Sequence, residues 1–177
     1  WMADPVPRYE TMNIRLAWLT ATVVAASFAQ PLSAATSAGA VTATVTVSAA
    51  AKLALSASTV TFANADPDVV PTIPASGGAI SITAKAKTAT GASVTLTVLA
   101  ANDLTSGGDV IAITNVRWTA TGTGFTPGTM SRTIAGTVAS WTGSGSRSGT
   151  QSYALANSWS YPTGTFSTTA TYTLTAP

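Results

Sequence analysis

The stretch FSTTATYTLTAP, Phe166–Pro177, decides the fold class. Its odd positions from 167 to 175 are all Ser or Thr, whereas most of its even positions are apolar. Because successive side chains of a β-strand point to opposite faces of the sheet, the stretch predicts a strand with one apolar and one hydroxyl face. The apolar face needs a second sheet to cover it. Its members are Phe166, Ala170, Tyr172, Leu174 and Ala176.

The same alternation recurs upstream in short segments that are separated by Gly- and Pro-containing turns. Short alternating strands with a turn every 8–12 residues are typical of a β-sandwich or barrel, and no helical apolar period interrupts them. We therefore predict an all-β fold, an Ig-like, Greek-key antiparallel β-sandwich, because Greek-key connections tolerate loops of unequal length. The clearest of the upstream strands are predicted at residues 40–48, 79–86, 94–98 and 151–155.

Several connections can also be predicted from turn residues and changes of phase. We expect a turn at Gly91, after which the next strand runs in the opposite direction if the two strands form a hairpin. A bulge is predicted near Thr114 and Asn115, where the apolar phase shifts. The Pro-rich segment 64–74 is predicted to be a loop, because Pro supplies no backbone donor to a sheet. A flexible tip is predicted at residues 143–149, which contain three Gly.

The N-terminal third has the features of an export signal. We interpret residues 1–11 as sequence upstream of a start at Met12. Residues 12–34 then form a signal peptide, with Arg15 in a short basic head, an apolar run, and small residues at a cleavage site after Ala34. The apolar run is shorter than the roughly 20 residues of a membrane-spanning helix. We expect residues 35–177 to be one domain that is secreted or displayed at the cell surface, with no membrane contact after cleavage.

Charge is sparse in the predicted domain. Six cations and four Asp are spread singly through residues 35–177. Nucleic-acid binding requires a clustered basic face, and only Lys85 and Lys87 lie close together, on one predicted strand face. The sequence therefore predicts no nucleic-acid partner.

The groups that most enzymes use are missing from residues 35–177, which contain no His, Cys or Glu. A Ser-His-Asp relay and a His or Cys metal site both need these residue types. The remaining carboxylates lie in turns, where Asp commonly bonds the local backbone. We predict that the protein is not an enzyme and has no metal or cofactor. The carboxylates are Asp66, Asp68, Asp103 and Asp109.

The first predicted strand, residues 40–48, has two interpretations. Either it is the first strand of its own sandwich, or it leaves the domain and completes the sheet of a second copy, giving a homopolymer. Strand addition of the second kind uses backbone hydrogen bonds for affinity and alternate side-chain pockets for specificity. The side chains that would enter the neighbour are Val41, Ala43, Val45 and Val47.

The aromatic residues of the C-terminal half also have two interpretations. Most lie in phase with apolar neighbours and are expected in the core. Trp159 and Tyr161 instead lie in a predicted loop with Asn157. These three residues are candidates for contact with a cell-wall or environmental glycan.

Two resemblances concern the ends of this domain. Ala170–Pro177 is similar to the C-terminal motif of WxL cell-surface domains, with Tyr172 in the place of their Trp. The ending from Gly164 onward and the first strand resemble fimbrial and spore-coat-U-type subunits. The resemblances imply a bacterial surface β-sandwich, and the second implies assembly by donor-strand exchange. The leading expectation is therefore a subunit of an extracellular filament or surface layer; the alternative is a polysaccharide- or cell-wall-binding adhesion module.

Overall fold

The computed structural model describes residues 42–177, which contain eleven β-strands and one short 3-10 helix. The predicted signal peptide (residues 12–34), the predicted upstream segment (residues 1–11) and the candidate donor residue Val41 lie outside the described residues. Thr44–Pro177 is one unit; of the other, Trp1–Ala43, only Thr42 and Ala43 are described. The strands are β1 (Ala50–Leu55), β2 (Thr72–Pro74), β3 (Ile80–Lys87), β4 (Ser93–Ala100), β5 (Leu104–Ser106), β6 (Asp109–Ile111), β7 (Val116–Thr121), β8 (Gly128–Thr129), β9 (Gly136–Thr142), β10 (Gly145–Ala156) and β11 (Ala170–Thr175).

The larger sheet is built around β10, the longest strand. Its order is β1-β3-β10-β7-β8, and β2 also pairs with β10. Every pairing in it is antiparallel. Strand β3 shows the predicted alternation, because Ile80, Ile82, Ala84 and Ala86 are buried while Lys85 and Lys87 are exposed.

The smaller sheet contains the C-terminal strand from which the fold was predicted. Its order is β11-β4-β9, again antiparallel. Tyr172 and Leu174 turn inward, and Thr171 and Thr173 outward, which confirms the predicted alternation. The register of β4 against β9 shifts between Leu96 and Thr97, a bulge that leaves adjacent Val138 and Ala139 both fully buried.

One hydrophobic core joins these two sheets, while β5 and β6 pair with each other in a separate two-stranded sheet. Ile82 of β3 and Leu96 of β4 are both fully buried within the core, as is Val138 of β9. Full burial of an aliphatic side chain contributes roughly 1.5–3 kcal/mol relative to exposure. Between residues 42 and 177 the structure contains no α-helix, so the all-β antiparallel prediction is confirmed.

The structure decides one connection that the sequence left open and corrects another. Strands β3 and β4 do not form a hairpin across Gly91, because β3 lies in the larger sheet and β4 in the smaller one. Residues 143–149 are not a flexible tip, because β10 begins at Gly145 and pairs with β3 from there. Local turn residues locate the reversal of the chain but do not determine which sheet the next strand joins.

Two smaller predictions also need correction. The phase change at Thr114 and Asn115 is a 3-10 helix, Ile113–Asn115, rather than a bulge. Segment 64–74 is not all loop, since Thr72–Pro74 pairs with one end of β10. Pro74 is tolerated there because β2 is only three residues long and lies off the main path of the sheet.

Candidate functional site

Residues 42–48 of the predicted donor segment have no strand partner among the residues that the structure describes. Residues 44–49 do not form a strand, and β1 begins directly after them at Ala50. Val45 is 85% exposed and Val47 is 68% exposed. Ala43 is exposed as well. We call residues 41–47 the arm; of its four apolar residues, three are described and none is buried.

The three candidate glycan residues occupy different environments in the segment after β10. The Asn157 amide donates to the carbonyls of Ala65 and Val70, both at 3.0 Å. The Tyr161 hydroxyl donates to the Ala156 carbonyl at 2.8 Å, and its ring is half-buried. The Asn157 side chain therefore joins the segment after β10 to the loop that contains Ala65 and Val70, and the Tyr161 side chain stabilises the turn that follows β10.

Trp159 alone of these three presents its side chain to solvent. It is 69% exposed, and its indole Nε1 donates to the Asp68 carboxylate at 3.1 Å. An indole fixed at one edge by a carboxylate leaves a ring face for stacking on an apolar sugar face. Of the three candidates, Trp159 therefore offers an exposed ring for stacking, and Asp68 lies beside it as a hydrogen-bond acceptor. The sequence did not predict that Asp68 and Trp159 are neighbours.

Two of the four carboxylates of the domain, Asp66 and Asp103, accept hydrogen bonds from backbone amides. Asp66 accepts a hydrogen bond from the Asp68 amide at 2.9 Å, as expected of Asp in a turn. Asp103 accepts from the Ile113 amide at 2.9 Å and pairs with Arg132 at 3.0 Å. Among residues 42–177, no three His, Cys, Asp or Glu side chains come together.

A buried polar cluster was not anticipated from the sequence. Gln151 is fully buried, and its Oε1 accepts hydrogen bonds from Tyr172 at 2.5 Å and from Tyr153 at 3.3 Å. The two tyrosine hydroxyls also lie within hydrogen-bond distance of each other, and because each has one proton, two of these three contacts are hydrogen bonds at any one time. Burial raises the pKa of both phenols, and the neighbouring Tyr172 raises the pKa of Tyr153 further. The only signal in the sequence was the position of Gln151 two and four residues before Tyr153 and Leu155, which places all three side chains on the same face of the strand.

Comparison with known proteins identifies no relative. The chain matches no protein-family model, no curated protein and no solved structure. Its functional assignment therefore depends on its own residues.

An open groove of about 530 Å³ lies where β2, β7, β8 and β10 meet. Arg117 is the one charged residue in its lining, beside the hydroxyl side chains of Thr119, Thr129 and Ser152. Sequence reasoning did not find this groove, because its residues come from four separate strands. No helix among residues 42–177 is long and apolar enough to cross a membrane.

Proposed function

We propose that the protein is an exported structural subunit that assembles head-to-tail into an extracellular filament or surface layer, with the arm as the donated strand. The observation that carries the proposal is the exposure of Val45 and Val47 in an alternating segment that has no strand partner among the described residues. Adding a strand to the sheet of a neighbour buries such side chains and satisfies the backbone.

The symmetry of such a contact leads to a polymer. A donor arm at one place and an acceptor sheet at another make a heterologous interface, which propagates unless the rotation closes a ring. Export rests on the signal pattern of residues 12–34, and absence of catalysis on the missing His, Cys and Glu of residues 35–177. The proposal includes an Ig-like Greek-key sandwich, which is supported by non-sequential neighbours such as β3 beside β10 and β4 beside β11.

The test compares two charged substitutions on opposite faces of the arm. The protein, exported and processed by a bacterial host, is imaged by negative stain at high concentration. We expect filaments or sheets from the native protein and dispersed particles from Val45→Asp, because a carboxylate cannot enter an apolar pocket without a large desolvation cost. The matched control, Thr46→Asp, adds the same charge to the hydroxyl face and should still assemble. Dispersed native protein, or assembly of Val45→Asp, would contradict the proposal.

A second candidate function, adhesion to a cell-wall or environmental polysaccharide, is favoured by the exposed indole of Trp159. Affinity electrophoresis against a panel of glycans tests it. Trp159→Ala should abolish retardation without lowering the melting temperature. Tyr161→Phe, which keeps the ring, is the matched control and should still be retarded. Retardation that survives Trp159→Ala would remove this candidate.

A further inference from the structure

Among residues 42–177, β11 of the smaller sheet pairs with β4 alone, so its other edge has no partner in the part of the chain that the structure describes. The Ala101 amide donates to the Thr169 carbonyl at 2.8 Å, and this bond sets the phase of the pairing. Because hydrogen-bonded and non-hydrogen-bonded pairs alternate in an antiparallel ladder, the backbone groups of Thr171 and Thr173 face β4. Those of Tyr172 and Leu174 face away from it. Among residues 42–177 no backbone hydrogen bond reaches these outward groups.

Three other strand edges, those of β9, β8 and β1, are less suited to accept a strand. The outer edge of β9 is covered, since the Thr126 amide donates to Val138 at 2.9 Å and the Ser140 amide to Gly124 at 3.0 Å. Strand β8 is only two residues long. Strand β1 carries exposed Lys52, and lysine on an edge strand discourages pairing with another chain.

Strand β11 and the arm match in length, pattern and charge. Each is six or seven residues long, which corresponds to about 20 Å of extended chain. Tyr172 and Leu174 are half-buried and pack against the core, so a strand added beside them would bring Val45 and Val47 to the same apolar layer. The hydroxyl residues of the arm would then lie beside the Thr row of β11. Neither segment contains a charged residue.

We propose that the unpaired edge of β11 is the acceptor for the arm of a second copy of this chain. The inference rests on the proposed function and adds the site at which the neighbour is bound. Residues 44–49 of the same chain are unpaired, so they do not occupy this edge. Only Ser48 and Ala49 separate the arm from β1, and β1 has Cα atoms within 8 Å of β11. Binding of the arm to β11 of its own chain is therefore the arrangement that the experiment must distinguish from the proposal.

Disulfide trapping tests the acceptor, and the chain has no native Cys to interfere. Thr46→Cys is mixed with affinity-tagged Thr171→Cys, Thr173→Cys or Thr175→Cys, using the exported, processed protein under mild oxidation. All four positions are exposed, so the fold tolerates the changes. Lys52→Cys on β1 and Ser140→Cys on the covered β9 edge are the matched controls. We expect cross-linked heterodimers with at least one β11 position and none with either control.

Each other outcome has a distinct meaning. Native filaments with cross-links to Lys52→Cys alone would overturn the β11 assignment and leave the proposed function standing. Absence of both filaments and cross-links in every mixture would overturn both. A chain that carries Thr46→Cys and Thr173→Cys together, and that closes its disulfide only within one copy, would show that the arm binds its own edge and would overturn the inference.

Discussion

At the residue scale, the least expected feature is a glutamine in the core. Gln151 shares one acceptor oxygen between two tyrosine hydroxyls, while its Nε2 has no partner among the described residues. An unpaired buried donor costs roughly 1–3 kcal/mol. The Tyr hydroxyls offset part of that cost by satisfying the other end of the amide. Tyr172 belongs to β11, so the cluster links the edge strand of the smaller sheet to the central strand of the larger one.

Tyr172→Phe should therefore lower the free energy of unfolding by about 1 kcal/mol, the net value of one buried hydrogen bond. Urea denaturation measures the change. Tyr161→Phe is the control, since its hydroxyl bonds a carbonyl near the surface and its loss should cost less. Equal stability of Tyr172→Phe and the native protein would show that the cluster contributes nothing.

The same cluster predicts a loss of stability in alkali. Folding raises the pKa of Tyr153 and Tyr172 above the ordinary value of 10.0, so above that pH the unfolded state binds fewer protons than the folded state. The free energy of unfolding then falls as pH rises, by up to about 1.4 kcal/mol per pH unit for each phenol. Below pH 10 the pair contributes no pH dependence.

Urea denaturation between pH 8 and 11.5 measures this slope. The double variant Tyr153→Phe with Tyr172→Phe removes both phenols and should give a shallower fall. Identical slopes in the two proteins would contradict the assignment of the alkaline loss to this cluster.

At the element scale, glycines allow β8 and β9 to pack on an aromatic ring. A Cβ at Gly128 would collide with the six-membered ring of Trp118, and one at Gly136 would lie 2.8 Å from the same ring. The indole Nε1 of Trp118 donates to the Thr126 carbonyl at 2.9 Å, which holds the ring in this position. The ring therefore cannot move aside without losing that bond.

Gly128→Ala should lower the free energy of unfolding by about 1–3 kcal/mol, the usual cost of overpacking a core. Gly108→Ala is the matched control, because a Cβ there meets nothing within 4 Å. Its effect should stay within about 0.5 kcal/mol, as for most surface changes. Chemical denaturation followed by Trp fluorescence compares the two; equal stabilities would show that the Trp118 ring yields freely.

At the scale of the whole molecule, stability depends on packing and sheet pairing rather than on charge. The one ion pair among the described residues joins Arg132 to Asp103, with the arginine side chain 56% exposed. Exposed pairs contribute about 0–1 kcal/mol. The chain also has no Cys and so no disulfide.

The unfolding free energy should consequently change by less than about 1 kcal/mol between 50 mM and 1 M NaCl, because salt screens only interactions that contribute little here. Thermal denaturation at a series of NaCl concentrations measures this. Arg132→Gln should melt close to the native protein at every concentration. A fall of several kcal/mol in high salt would mean that charge has a larger part in stability than one ion pair explains.

Residue patterns by themselves determined the strands whose two faces differ. The alternation of Tyr172 and Leu174 with Thr predicted β11, and the alternation from Ile80 to Ala86 predicted β3. A two-residue apolar period indicates a β-strand because only a strand places every second side chain on the same face. The same local pattern predicted the apolar arm, with no indication of what covers it. The missing His, Cys and Glu of residues 35–177 limited the available chemistry through composition alone.

Only the tertiary structure decided which strands are neighbours. A turn at Gly91 or Gly143 is compatible with a hairpin within one sheet or with a crossing to the other sheet. In the folded protein the chain crosses to the other sheet at both turns. The tertiary structure also brought Gln151 between two tyrosines and, within residues 42–177, left one edge of β11 without a partner. Side-chain period is a local property of the chain, whereas pairing depends on burying both apolar faces at once, which only the folded molecule satisfies.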